Sequence, residues 1–204
     1  MESLDKFAIN PTNEFHILRH FEFVDDSYKA TLLNKPYWYY DYSQKKYISS
    51  YISQDDIEYA LETIGTKFDK NITGIENPKK LLELIKEKFT QLILSNKVDW
   101  IPENEKGLFA FTFEFDFSVG KMNCLSVGNL SAGDKKNIKP THRSRCIGES
   151  DVVVNTITGI KLQATKMIYV ELVETGQLPF FAITSFPDCS ANSIPPNDDI
   201  VFAL

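Results

Sequence analysis

The sequence predicts an α+β fold, with N-terminal helices packed on one face of a C-terminal antiparallel sheet. Three observations carry this. Phe109, Phe111, Phe113, Phe115 and Phe117 alternate with Ala110, Thr112, Glu114 and Asp116. That is period-2 patterning, the mark of a strand with one buried and one wetter face. Capped segments of helical periodicity lie before this strand, and short β-rich segments follow it. The order, helices first and strands later without βαβ alternation, separates α+β from α/β.

At 204 residues the chain is expected to form a single domain, helical over about residues 1–106 and β-rich over about 107–204. Asn10-Pro11-Thr12-Asn13 is a turn signal. Glu14–Val24 suits a short helix or a strand. Phe15, Ile17, Phe21 and Phe23 share parity, whereas His16 and His20 at i, i+4 share one face of a helix. The reading adopted is a helix over Asn13–His20. A short helix over Asp25–Asn34 follows, ending before Lys35-Pro36. Tyr37–Tyr51 is rich in tyrosine, with rings suited to the edge of a core or, alternatively, to a platform on which nucleobases stack.

Ser53 is an N-cap, with Asp55 and Asp56 in the first turn near the positive end of the helix dipole. Ile57, Ala60, Leu61 and Ile64 continue at helical spacing. Asn77-Pro78 opens a longer helix to about Ser95, with Asn at N-cap and Pro at N1. Its broad apolar face makes it the candidate cover for the phenylalanine strand. A linker over Asn96–Lys106 leads to that strand, Gly107–Val119. Further strands are predicted at Lys121–Val127, Arg145–Ile147, Asp151–Ile157, Thr165–Val173 and Leu178–Phe186. Gly128–Pro140 reads as a polar loop, Thr175-Gly176 as a hairpin turn, and Pro187 as the end of the last of these strands. The chain closes on the apolar segment Ile200–Leu204.

The net charge of −6 argues against a generic nucleic-acid coat or a binder of anionic membranes. Cys124, Cys146 and Cys189 are odd in number and widely spaced, which argues against a disulfide framework or a Cys-based zinc site. The first ten residues lack the pattern of a signal peptide, and no apolar run approaches the length of a membrane span. The expected compartment is the cytoplasm, with reduced thiols and no membrane partner.

P-loop, dinucleotide, zincin, nucleophile-elbow and EF-hand motifs are missing. His16 and His20 have no third ligand nearby, so neither metal nor cofactor is expected. The densest cationic stretch is Lys135, Lys136, Lys139, His142, Arg143 and Arg145, in an otherwise acidic chain. Thr141 and Ser144 add hydroxyls. Arginine grips phosphate or carboxylate through two hydrogen bonds, so the stretch suits a phosphate-binding or phosphodiester-cleaving site. The competing reading is a solvated loop whose arginines pair with Glu149 and Asp151. Thr184 and Ser185, near the end of a late strand, offer one hydroxyl to each face. One of them could orient a phosphate, or both could cap the strand end.

The segment His16, Arg19, His20, the element His142, Arg143, Arg145 and the late strand Ile183-Thr184-Ser185-Phe186-Pro187 together resemble metal-independent ribonuclease toxins of the barnase–EndoU–colicin–RelE-like group. The resemblance implies N-terminal helices followed by a curved antiparallel sheet, and RNA cleavage through the 2′-hydroxyl to a 2′,3′-cyclic phosphate. It implies His16 or His20 as base, His142 as acid, and Arg143 or Arg145 as the phosphate holder. Lys139, Thr141, Ser144, Thr184 and Ser185 are the supporting phosphate contacts. The partner would be RNA or another phosphate-bearing ligand, in a toxin or defence system. The alternative from a different class is a non-catalytic acidic module that binds a protein partner, as an inhibitor or adaptor.

Overall fold

The computed structural model describes residues 9–41, 43–63, 65–69, 72, 74–94, 108–143, 152–173, 182–188 and 198–204. The fold is α+β, with helices mostly in the N-terminal part and sheets mostly in the C-terminal part. Among the described residues no helix is long and apolar enough to cross a membrane.

Helix α1 spans Pro11–Leu18. Asn10 caps it by accepting from the Asn13 N–H at 3.1 Å, and Pro11 occupies the first helical position, where a missing N–H costs nothing. The helix therefore starts and ends earlier than its apolar pattern suggests. The His20 N–H closes back onto the Ile17 carbonyl, and Arg19 and His20 lie in a turn rather than on a continued helix. Phe21 then bridges Phe68, and the rings of the two stack at 5.1 Å.

Helix α2 (Asp26–Leu32) is capped by Asp25, which accepts from the Tyr28 N–H at 2.7 Å. The aromatic segment forms an antiparallel hairpin, β1 (Pro36–Asp41) and β2 (Lys46–Tyr51). Helix α3 (Gln54–Glu62) begins with a full capping box between Ser53 and Asp56. A short strand β3 (Lys67–Phe68) precedes helix α4 (Pro78–Leu94), whose Lys80 N–H is capped by Asn77.

The C-terminal strands divide among several sheets. Strand β4 (Leu108–Glu114) pairs with β10 (Met167–Val173), which pairs with β11 (Ala182–Asp188). A second sheet joins β3, β5 (Gly120–Met122) and β9 (Gln163–Thr165). A third has the order β6 (Cys124–Ser126), β12 (Ile200–Ala203), β8 (Val152–Ile157), β7 (Lys139–Arg143). The pairing of β12 with β8 is parallel and every other strand pairing is antiparallel, among the described residues.

Several local expectations are corrected. The segment expected as one strand over Lys121–Val127 breaks at Asn123, whose carbonyl accepts from the Ala203 N–H at 2.7 Å, so β5 and β6 enter different sheets. The expected loop over Gly128–Pro140 contains helix α5 (Ala132–Lys135), capped by Ser131. Strand β11 runs through Pro187 to Asp188. Among the described residues it is the edge of its sheet, the position in which a strand tolerates proline. The expected strand over Arg145–Ile147, the linker over Asn96–Lys106 and the turn at Thr175-Gly176 lie outside the described residues.

Two apolar cores result among the described residues. The first gathers Ile17, Leu18 and Phe21 with Leu81, Leu82, Ile85 and Phe89 of α4, and with Ile168 and Val170 of β10. Phe113 and Phe115 pack against it, and Lys88 of α4 sits 5.6 Å over the Phe115 ring. Lys88 thus brings α4 to the Phe115 ring, and Phe113 packs into the core that α4 helps to form, whereas the side chains of Phe109 and Phe111 lie outside the described residues. Phe117 departs from the expected pattern. The strand ends at Glu114, the chain bends away, and Phe117 is 48% exposed. The second core, around Leu125, Ile157, Val201 and Ala203, belongs to the third sheet.

Candidate active site

Helix α1 is the hub of the first core. It packs against the β1–β2 hairpin through β1, against α3 and α4, and against strand β11. Its C-terminal turn carries His16, Arg19 and His20, all partly buried. An Arg19 Nη2–H donates to His16 Nε2 at 2.8 Å. That contact requires a neutral ring, with Nε2 as the acceptor. His20 Nδ1 lies 3.2 Å from the Thr66 carbonyl and 3.0 Å from the Thr66 hydroxyl. With a proton on Nδ1 the ring donates to the Thr66 carbonyl and Nε2 is the basic nitrogen; with Nδ1 bare, the Thr66 hydroxyl donates to it instead.

Burial is the main cause of the depressed pKa of both rings. For His16, burial and then the charges of Arg19 and His20 hold the pKa well below the usual histidine range. For His20, burial, Arg19 and Lys67 outweigh the Thr66 hydrogen bond and lower the pKa to about 3. The turn is thus a cationic environment holding two neutral imidazoles.

Lys67 fixes this turn from beneath. Its ammonium donates to the carbonyls of Arg19 at 2.6 Å, Phe21 at 3.1 Å and Leu61 at 3.0 Å, which uses all three of its protons. Burial lowers its pKa, and Glu22 opposes that shift. Glu14, further up α1, is buried and accepts from the Tyr28 hydroxyl at 3.0 Å. Desolvation raises its carboxyl pKa. Sequence reasoning missed Thr66 and Lys67. They stand 46 residues or more from the histidine turn in the chain, and no local pattern marks a lysine that will donate to three carbonyls.

The expected site residues fall into two groups. His16 and His20 sit on the α1 turn, and α1 packs against β11, the strand that carries Thr184 and Ser185. In the register of that sheet Thr184 pairs with Glu171 and Ser185 with Val170. Lys139, Thr141, His142 and Arg143 instead line up along β7, the edge strand of the third sheet among the described residues, the sheet that carries the second core. His142 and Lys139 are exposed. The Thr141 hydroxyl lies 2.8 Å from that of Thr156, which itself donates to the Lys139 carbonyl. Thr141 therefore joins β7 to β8 instead of pointing at a ligand. Arg143 closes β7 opposite Val152. Ser144 and Arg145, like Glu149 and Asp151, lie outside the described residues.

The single arrangement expected from the sequence, an α1 histidine with His142 and an arginine of the basic stretch, thus draws on elements that belong to different cores. Among the described residues Arg19, from the same turn, donates to a histidine. Among the described residues no three His, Cys, Asp or Glu side chains gather as a metal-ligand set. No protein-family model matches the chain, and it matches neither a curated protein nor a solved structure.

Proposed function

We propose that the chain is a metal-independent ribonuclease centred on the α1 turn. One observation carries the reading. A partly buried cluster of His16, Arg19 and His20 stands on a helix packed against β11, the strand of Thr184 and Ser185. Two imidazoles and a guanidinium are the groups that cleavage through a 2′-hydroxyl uses.

In this reading a substrate phosphate binds beside Arg19. Its negative charge raises the pKa of both histidines, because an opposite charge nearby favours the protonated ring. His20 Nε2 takes the proton of the 2′-hydroxyl. The 2′-oxygen bonds to phosphorus and the bond from phosphorus to the 5′-oxygen breaks. His16, released from the Arg19 hydrogen bond and protonated once the phosphate is present, gives its proton to the leaving 5′-oxygen. The Arg19 guanidinium offsets the charge that builds on the phosphoryl oxygens. The products are a 2′,3′-cyclic phosphate and a 5′-hydroxyl.

The test uses the small number of histidines, three in the chain. Their ring carbon protons are followed by NMR across pH, with and without a 2′-deoxy oligonucleotide that cannot be cleaved. The expected result is that the two strongly depressed rings shift upward by one unit or more on binding. Unchanged titration of both rings at saturating oligonucleotide would remove them from the reaction. It would leave the acidic protein-binding module as the better reading.

A further inference from the structure

His20 Nδ1 lies against two oxygens of one buried residue, the Thr66 hydroxyl at 3.0 Å and the Thr66 carbonyl at 3.2 Å. Among the described residues neither oxygen has another hydrogen-bond partner. The next two positions hold the Thr66 backbone against the ring. The Phe68 N–H donates to the His20 carbonyl at 2.8 Å, and the Lys67 ammonium donates to the carbonyls of Arg19 and Phe21.

The two oxygens make opposite demands on one nitrogen. The carbonyl only accepts, so it needs a proton on Nδ1. The hydroxyl has a proton to give and needs Nδ1 bare. A hydroxyl that accepted from Nδ1–H would leave its own proton without an acceptor. Protonating the whole ring does not resolve the contest, because burial and the charges of Arg19 and Lys67 keep it neutral. What is left to vary is which nitrogen carries the single proton. A buried donor without an acceptor is a rarer arrangement than an under-satisfied carbonyl. That favours the form in which the hydroxyl donates, with the proton on Nε2.

We propose that Thr66 is a positioning residue that sets the tautomer of His20. Its hydroxyl holds the proton on Nε2 at rest, and its carbonyl holds the other tautomer, in which Nε2 is the base. This assignment concerns the resting protein and does not depend on the reaction. Its consequence for catalysis rests on the ribonuclease reading. Only the carbonyl-held ring takes a proton at Nε2, so the hydroxyl withholds the base until a donor reaches that nitrogen. A 2′-hydroxyl is such a donor, and a deoxyribose has none at that position.

The test is NMR of the imidazole nitrogens in nitrogen-15 labelled protein at mildly alkaline pH, with His20→Gln to assign the signals. Wild type is expected to show a proton on Nε2 and a bare Nδ1. Thr66→Val removes the hydroxyl and leaves the carbonyl, so the proton should move to Nδ1. Thr66→Ser keeps the hydroxyl and should show the wild-type tautomer. A proton on Nδ1 in wild type would overturn the inference without recourse to any variant. The same tautomer in wild type and folded Thr66→Val would also overturn it. Cleavage separates this inference from the ribonuclease reading. If wild type cuts RNA, Thr66→Val should cut roughly two- to tenfold faster, the weight of one neutral hydrogen bond. An equal or lower rate in a variant whose tautomer has moved would overturn the catalytic consequence. A tautomer that moves as expected in a protein that leaves RNA uncut would support the role of Thr66 and overturn the ribonuclease reading alone.

Discussion

A histidine that accepts a hydrogen bond from arginine pays for protonation twice, once in lost hydration and once in repulsion. His16 and His20 therefore make folding depend on pH. Their folded pKa values lie below the ordinary value of 6.5, so below that pH the unfolded chain binds more protons than the folded one. Stability is then expected to rise with pH and to be lost as the pH falls from 6.5 toward the folded values. The slope is up to about 1.4 kcal/mol per pH unit for each full proton of difference. Glu14 acts with the opposite sign. Its raised pKa makes the folded state hold a proton longer, a contribution lost as pH rises through the folded value. Urea unfolding between pH 5 and 6.5 should show a net loss on acidification, flattened in His16→Gln/His20→Gln and steepened in Glu14→Gln. A flat wild-type profile would show that these rings are not held neutral by the fold. Single residues of this site were legible to different degrees. His16, Arg19 and His20 stood out because histidines are scarce in this chain. The roles of Thr66 and Lys67 depend on a chain crossing that no local pattern encodes.

At the scale of elements, local chemistry was the reliable guide. Ser53 with Asp56, Asn77-Pro78 and the alternation through Phe113 each led to a helix or strand where the structure has one. Capping and periodicity are set within a few residues, so the sequence displays them. Strand partners are set by tertiary packing, so the split of β5 from β6 and the parallel pairing of β12 with β8 were not visible. Two substitutions test the packing described. Phe113→Ala should cost about 3 kcal/mol, since the ring packs against the first core. Phe117→Ala, half exposed and touching chiefly the Phe115 ring at 5.5 Å, should cost about 1 kcal/mol. Equal costs by urea unfolding would mean that the stripe continues past Glu114. Gly120 is the tightest approach of the second sheet. A Cβ there would collide with the Lys67 carbonyl and lie 2.9 Å from both the Phe68 Cα and the Pro187 Cγ. Backbone atoms cannot give way as a flexible side chain can. Gly120→Ala should therefore destabilise by about 1–3 kcal/mol or more. Because β3 carries Lys67, it should also loosen the histidine turn, visible as an upward drift of the His20 pKa. A neutral effect on both would contradict the close packing of β5 on β3.

For the whole molecule, the account joins an acidic chain to a cationic turn. The net charge of −6 repels nucleic acid at long range, so in the proposed reading Arg19 has to act at contact distance. The overall α+β order was legible, because helical and strand-like segments separate along the chain. The convergence of one site was not. The sequence offers two histidine-bearing groups, and the structure sets one on α1 against β11 and the other along β7. The central claim, that the α1 turn cleaves RNA through the 2′-hydroxyl, is tested most directly by the products. The purified protein is incubated in EDTA with a short RNA, and with the same RNA carrying a single 2′-deoxy position. The account predicts fragments ending in a 2′,3′-cyclic phosphate, no cut at the deoxy position, and a rate at least 100-fold lower for His20→Ala at unchanged fold. Intact RNA after prolonged incubation, or fragments of equal yield from wild type and His20→Ala, would contradict it.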